Sequence, residues 1–88
     1  MKIKDGFIIK QVAGSTVAAA TGDVAENFNG IITLNETGEW LFKKLMDGIS
    51  EENLIKDFLS EYDVTEDVAK SDIDEFINKL KMEDILEY

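Results

Sequence analysis

The chain has no cysteine, histidine, arginine or proline, and each absence removes a class of chemistry. Without Cys or His there is no zinc or iron–sulfur site, no disulfide, no thiol nucleophile and no triad built on imidazole. Without Arg there is no planar fork for bidentate recognition of phosphate or guanine. All nine basic residues are lysines, against nineteen acidic ones, and the formal net charge of −10 opposes binding to a polyanion. Aromatic residues make up only 9%, but a hydrophobic fraction of 44% is enough for a folded core. Eighty-eight residues allow one domain, 1–88, with one modest core. Composition therefore predicts a small, acidic, non-enzymatic module with no cofactor and no metal.

Long apolar runs are missing too. No stretch approaches the roughly 20 apolar residues of a membrane span, so no membrane partner is expected. The run after Met1–Gly6 is interrupted by Lys10 and Gln11, too early for the core of a signal peptide, and neither end carries a lipidation motif. The cytoplasm is the expected compartment.

The charge is unevenly placed. Residues 1–44 hold five lysines and five acidic residues, whereas residues 45–88 hold four lysines and fourteen acidic ones. The local pattern changes near the same place. Phe7–Ala13 is rich in β-branched and aromatic residues, Gly14-Ser15 suits a turn, and Thr16–Ala20 reads as a second strand. Val24 and Phe28, in the connection that follows, are candidates to dip into the core. Ile31–Leu34 reads as a short third strand and a candidate sheet edge.

From Asn35 the period is helical. Asn35 suits an N-cap, Glu36 and Glu39 favour the first turns, and Leu41, Phe42, Leu45 and Met46 form an apolar stripe that ends at Gly48. Ser50 caps a second helix carrying Leu54, Ile55, Phe58, Leu59 and Tyr62. Thr65 caps a third, with Ala69, Ile73, Phe76, Ile77 and Leu80 on one face over about three turns. Glu83-Asp84 breaks it and Ile85-Leu86 adds a last apolar dip. Trp40 and Tyr62 are expected at the core edge. The predicted class is α+β, a three-stranded antiparallel sheet followed by three helices that cover one of its faces.

The acidic groups do not assemble a known site. Asp72-x-Asp74 resembles the start of a calcium loop, but Ile77 stands where that loop requires glycine. Asp63, Glu66 and Asp67 are accounted for by the dipole of the third helix. None of the four serines, Ser15, Ser50, Ser60 and Ser71, has the Asp-Ser-Leu context of an acyl carrier.

Ile31-Ile32-Thr33-Leu34-Asn35-Glu36-Thr37-Gly38 resembles the strand-to-helix signature of the PqqD family, the small protein of pyrroloquinoline quinone biosynthesis and its relatives. Its Leu-Asn-x-Thr-Gly core is matched by Leu34, Asn35, Thr37 and Gly38. Asp47-Gly48 is similar to the family's Asp-Gly, and Asp72-Ile73-x-x-Phe76-Ile77-x-x-Leu80 to its Asp-Val-x-x-Phe-Leu-x-x-Leu run. Glu83-Asp84-Ile85-Leu86 departs from the family's Gly-Leu pair. The resemblance implies a winged helix-turn-helix-like domain that binds the leader of a ribosomally made precursor peptide. Such domains present the leader to a modifying enzyme, often a radical S-adenosylmethionine enzyme. It also implies that the leader lies along Ile31, Ile32, Thr33 and Leu34 and against the third helix. Val68, Ile73 and Phe76 are then expected to floor a groove flanked by Asp72 and Lys79. The second reading is an acidic module that antagonises a nucleic-acid-binding partner.

Overall fold

The computed structural model describes residues 1–22, 25 and 30–87; the expectations for Val24 and Phe28 lie outside these residues. The strands are β1 (Lys2–Ile3), β2 (Phe7–Val12), β3 (Ser15–Ala20) and β4 (Ile31–Leu34). Helices α1 (Glu36–Asp47), α2 (Glu51–Glu61) and α3 (Glu66–Met82) follow, and β5 (Leu86–Glu87) closes the chain. The expected antiparallel sheet is β2-β3-β4, which leaves β4 on an edge. The sequence reading missed a second sheet, in which β1 and β5 pair antiparallel with Ile3 opposite Leu86. Two-residue strands carry no periodicity of their own, so only the meeting of the two ends creates them.

The β2–β3 hairpin turns on Ala13 and Gly14, with φ of 51° and 83°. Two successive positive φ values are those of a type I′ turn, whose twist matches the strands. Ala13 thus belongs to the turn and not to the strand that the sequence suggested. Alanine has no side-chain compensation for this conformation, whereas asparagine tolerates it. Ala13→Asn is expected to stabilise the fold by about 0.5 kcal/mol, a rise in Tm of a few degrees for a domain of this size, read by thermal melting.

Each helix begins on the cap its sequence announced. Asn35 Oδ1 accepts from the Gly38 N–H at 2.7 Å, Ser50 Oγ from Asn53 at 3.1 Å and Thr65 Oγ1 from Val68 at 3.3 Å. α3 runs from the Thr65 cap to the break at Glu83, the bounds that the sequence marks, and its buried face spans Ala69 to Leu80. It ends in a Schellman motif: Ile85 N–H donates to Leu80 C=O and Asp84 N–H to Lys81 C=O, both at 3.0 Å. Asp84 takes the left-handed φ of 57° that a glycine would occupy there. Lys4 pairs with its carboxylate at 2.9 Å.

The core lies between the inner sheet face and the helices. Phe7, Ala18, Ile32 and Leu34 project from the sheet onto Leu41, Phe42 and Leu45 of α1, Leu54 and Phe58 of α2, and Ala69, Ile73, Ile77 and Leu80 of α3. Ile3, Ile85 and Leu86 of the terminal segments complete it. Trp40 stands edge-on to Phe58 and to Tyr62, each at 5.7 Å between ring centroids, and joins α1 to α2 at the core edge. Burial pushes the Tyr62 hydroxyl up from its ordinary pKa, aided by the charges of Glu36 and Glu61. Among the described residues, no helix is long and apolar enough to cross a membrane.

Candidate functional site

Among the described residues strand β4 has no partner on its outer edge, and hairpin geometry sets which of its backbone groups face outward. A two-residue loop makes Val12–Ser15 a hydrogen-bonded pair, and Thr21 N–H donating to Gly6 C=O at 2.7 Å keeps the phase. The groups of β3 used toward β2 are therefore those of Ser15, Val17 and Ala19. Thr16 and Ala18 face β4, where they stand opposite Leu34 and Ile32. Ile32 and Leu34 thus spend their N–H and C=O groups inside the sheet. Ile31 and Thr33 direct theirs outward, where an added strand would pair.

Beside this edge a groove of about 540 Å³ opens between β4, the start of α1 and one face of α3. Leu34, Gly38, Leu41 and Phe76 make it apolar, and Thr33, Asn35 and Thr37 make its near side polar. Asp72, Glu75 and Lys79 line it from α3. The spacing explains this: residues 72, 75, 76 and 79 recur at three and four along one face, while Ile73, Ile77 and Leu80 turn inward. None of Asp72, Glu75 and Lys79 is in an ion pair with a described residue.

Gly38 determines how closely α1 approaches this face. A Cβ on it would stand 3.1 Å from Asn35 Oδ1 and 3.4 Å from Phe76 Cε1. Any larger residue would press on the helix cap and fill the depression above the Phe76 ring. Among the described residues no acidic cluster has metal-binding geometry, and no buried side-chain polar atom is unpartnered.

Of the residues singled out from the sequence, Thr33, Leu34, Asp72, Phe76 and Lys79 line one groove. Ile31 is exposed on the edge, and Ile32 is buried in the core. Ile73 is fully buried and does not line the groove, because it lies on the inward face of α3. Val68 is exposed one turn before Asp72, outside the lining residues. Sequence reasoning assigned no site role to Asn35, Thr37, Gly38, Leu41 or Glu75. The available signal was Gly38, a poor helix former retained within the first turn of a helix.

A second carboxylate pair lies away from the groove. Hydrogen bonding to Asp74 raises the pKa of Glu51, with burial and the Asp74 charge adding to it and Lys81 opposing. A raised folded pKa means that the pair contributes stability below the unfolded carboxylate range and loses it as pH rises through the folded value. Both groups are exposed, so the effect is small. Asp74→Asn is expected to stabilise the protein by a few tenths of a kcal/mol (roughly 0.3) at pH 7. The gain should shrink as pH falls toward the ordinary glutamate pKa of about 4.3, since a raised Glu51 pKa means the repulsion is relieved by protonation of Glu51. Melts of both proteins at pH 4 and pH 7 measure the difference.

A family model described as Coenzyme PQQ synthesis protein D (PqqD) matches residues 27–86. The solved structure "TbiB1 in Complex with the TbiA(beta) Leader Peptide" is similar in fold, with a TM-score of 0.76 and 21% sequence identity. The match covers 99% of this chain and 95% of that one. No curated protein sequence matches significantly.

Proposed function

The chain belongs to the PqqD family, and from that premise we propose that it is a non-catalytic peptide-recognition module. Its ligand is the leader of a ribosomally synthesised precursor peptide, which adds to β4 as a further strand. The module presents that leader to a modifying enzyme of the radical S-adenosylmethionine class. The observation that carries the reading is one juxtaposition: outward backbone groups at Ile31 and Thr33 lie directly beside an apolar groove. Main-chain pairing would supply sequence-tolerant affinity and the groove would select side chains. The solved relative was determined with a leader peptide bound, which favours the same class of ligand here.

An isotope-labelled sample titrated with the leader peptide of a candidate precursor tests the reading. Shifts are expected at residues 31–34 and along the 72–79 face of α3; shifts confined to other surfaces would remove it. The net charge of −10 and the Asp72–Glu75 rim predict a leader or enzyme surface that carries lysine or arginine. Affinity should therefore fall as salt rises from about 50 to 500 mM, since exposed pairs are screened within a Debye length of about 10 Å at 0.1 M. A flat response would eliminate the electrostatic part alone.

A further inference from the structure

The sheet has two faces, and the groove is built mainly on the inner one, with Thr33 of the edge at its rim. Phe7, Ala18, Ile32 and Leu34 project from the inner face into the core. On the outer face the register aligns Ile8, Ala19 and Ile31 in one row across all three strands. Ala19 is 7% exposed at the centre of the row, while Ile8 is 43% and Ile31 56% exposed at its ends. None of the three belongs to the main core cluster. The Ile31 side chain has an apolar cross-strand neighbour on one side and, on the other, the free edge whose N–H and C=O groups await a strand.

We propose that Ile31 is a specificity-determining residue on the outer face, so that a bound peptide is read on both faces of the sheet. The proposal rests on the strand-addition reading above and concerns the ligand's register and chemistry. Side chains of an added strand alternate between faces whichever way the strand runs. Ligand residues opposite Leu34 and Ile32 enter the groove side. Those opposite Thr33 and Ile31 stand on the outer face, where the residue opposite Ile31 extends the Ile8–Ala19–Ile31 row. The row is apolar throughout, so the favoured ligand side chain there is aliphatic or aromatic, the kind that gains most from a cross-strand apolar pair. The occupant is an extended peptide and not a flat protein surface, because only a strand can use the outward groups of Ile31 and Thr33.

The test pans a displayed library of random 12-residue peptides against the full-length chain. Intermolecular NOEs from the Ile31 methyls then identify the ligand position opposite it. That position should be apolar in the enriched peptides. Ile31→Glu should bind those peptides about two- to fivefold more weakly. Panning against this variant should replace the apolar residue with lysine or arginine and leave the position facing Leu34 unchanged. Ile31→Thr keeps the branching a strand favours and gives a weaker loss from a protein of parental stability, should the glutamate variant fold poorly. Peptides that shift β4 and α3 amides, tolerate any residue opposite Ile31 and bind both variants as tightly as the parent would overturn the outer-face role alone. A library that enriches nothing, or only peptides that shift other surfaces, overturns this proposal and the strand-addition reading together.

Discussion

Thr33→Pro is expected to leave the protein folded and to weaken its binding of a leader peptide by about 5- to 150-fold, the factor for an N–H···O bond whose loss leaves a carbonyl unpaired at about 1–3 kcal/mol. The substitution is informative because of the phase of the β4 backbone. The Thr33 N–H points to the free edge, so proline there removes a donor the folded sheet does not use. Edge strands accept proline where the N–H faces away from the ladder. The preceding residue, Ile32, is already in a strand, which suits the position before proline. Ile32→Pro is the opposite case. It deletes a donor paired with β3 and replaces a side chain only 5% exposed in the core, so it should unfold the domain. Calorimetry with the leader peptide and a thermal melt of each variant separate the two effects. Parental affinity in a folded Thr33→Pro protein would exclude pairing along this edge.

Phe42→Ala is expected to cost about 3–5 kcal/mol of folding stability. Phe42 has no exposed surface and sits in the cluster where the inner sheet face meets all three helices. Truncation loses the transfer free energy of the ring and leaves a cavity that these elements can only partly close. An entire domain is stable by about 5–15 kcal/mol, so the variant should approach the unfolding threshold at 37 °C. Urea denaturation measures the loss as a lowered midpoint. Met82→Ala provides the contrast at the end of α3: Met82 is 87% exposed, and its removal should change stability by less than about 0.5 kcal/mol. A Phe42→Ala midpoint as close to the parent as that of Met82→Ala would mean that the core is organised differently.

Much of the architecture was legible because its signals are local. The caps at Asn35, Ser50 and Thr65 each satisfy backbone donors within three residues, and the stripe from Leu41 to Leu45 needs only helical spacing to share a face. The family resemblance is also written in the sequence, through Leu34-Asn35-x-Thr37-Gly38 together with Asp47-Gly48 and the run from Asp72 to Leu80. Ala13, by contrast, carries no mark of its left-handed conformation, since alanine ordinarily avoids it. The pairing of Ile3 with Leu86 joins residues more than eighty positions apart, and no periodicity spans that distance.

For the candidate site the division is sharper. The amino-acid sequence by itself determined the absent chemistries, the acidic helical half, the strand at Ile31–Leu34 and the apolar face of α3. Tertiary structure alone decided that Ile73 turns into the core while Phe76 stays beside the groove, although both belong to the same stripe. Their fates differ because α3 meets its neighbours along a narrow line. A rotation of about 100° per residue carries Ile73 across that line and leaves Phe76 at its margin, where Gly38 lets α1 come close enough to form a floor. The free edge is decided in the same way. A strand's sequence shows which side chains alternate, but only its register with β3 shows which backbone groups are left for a partner.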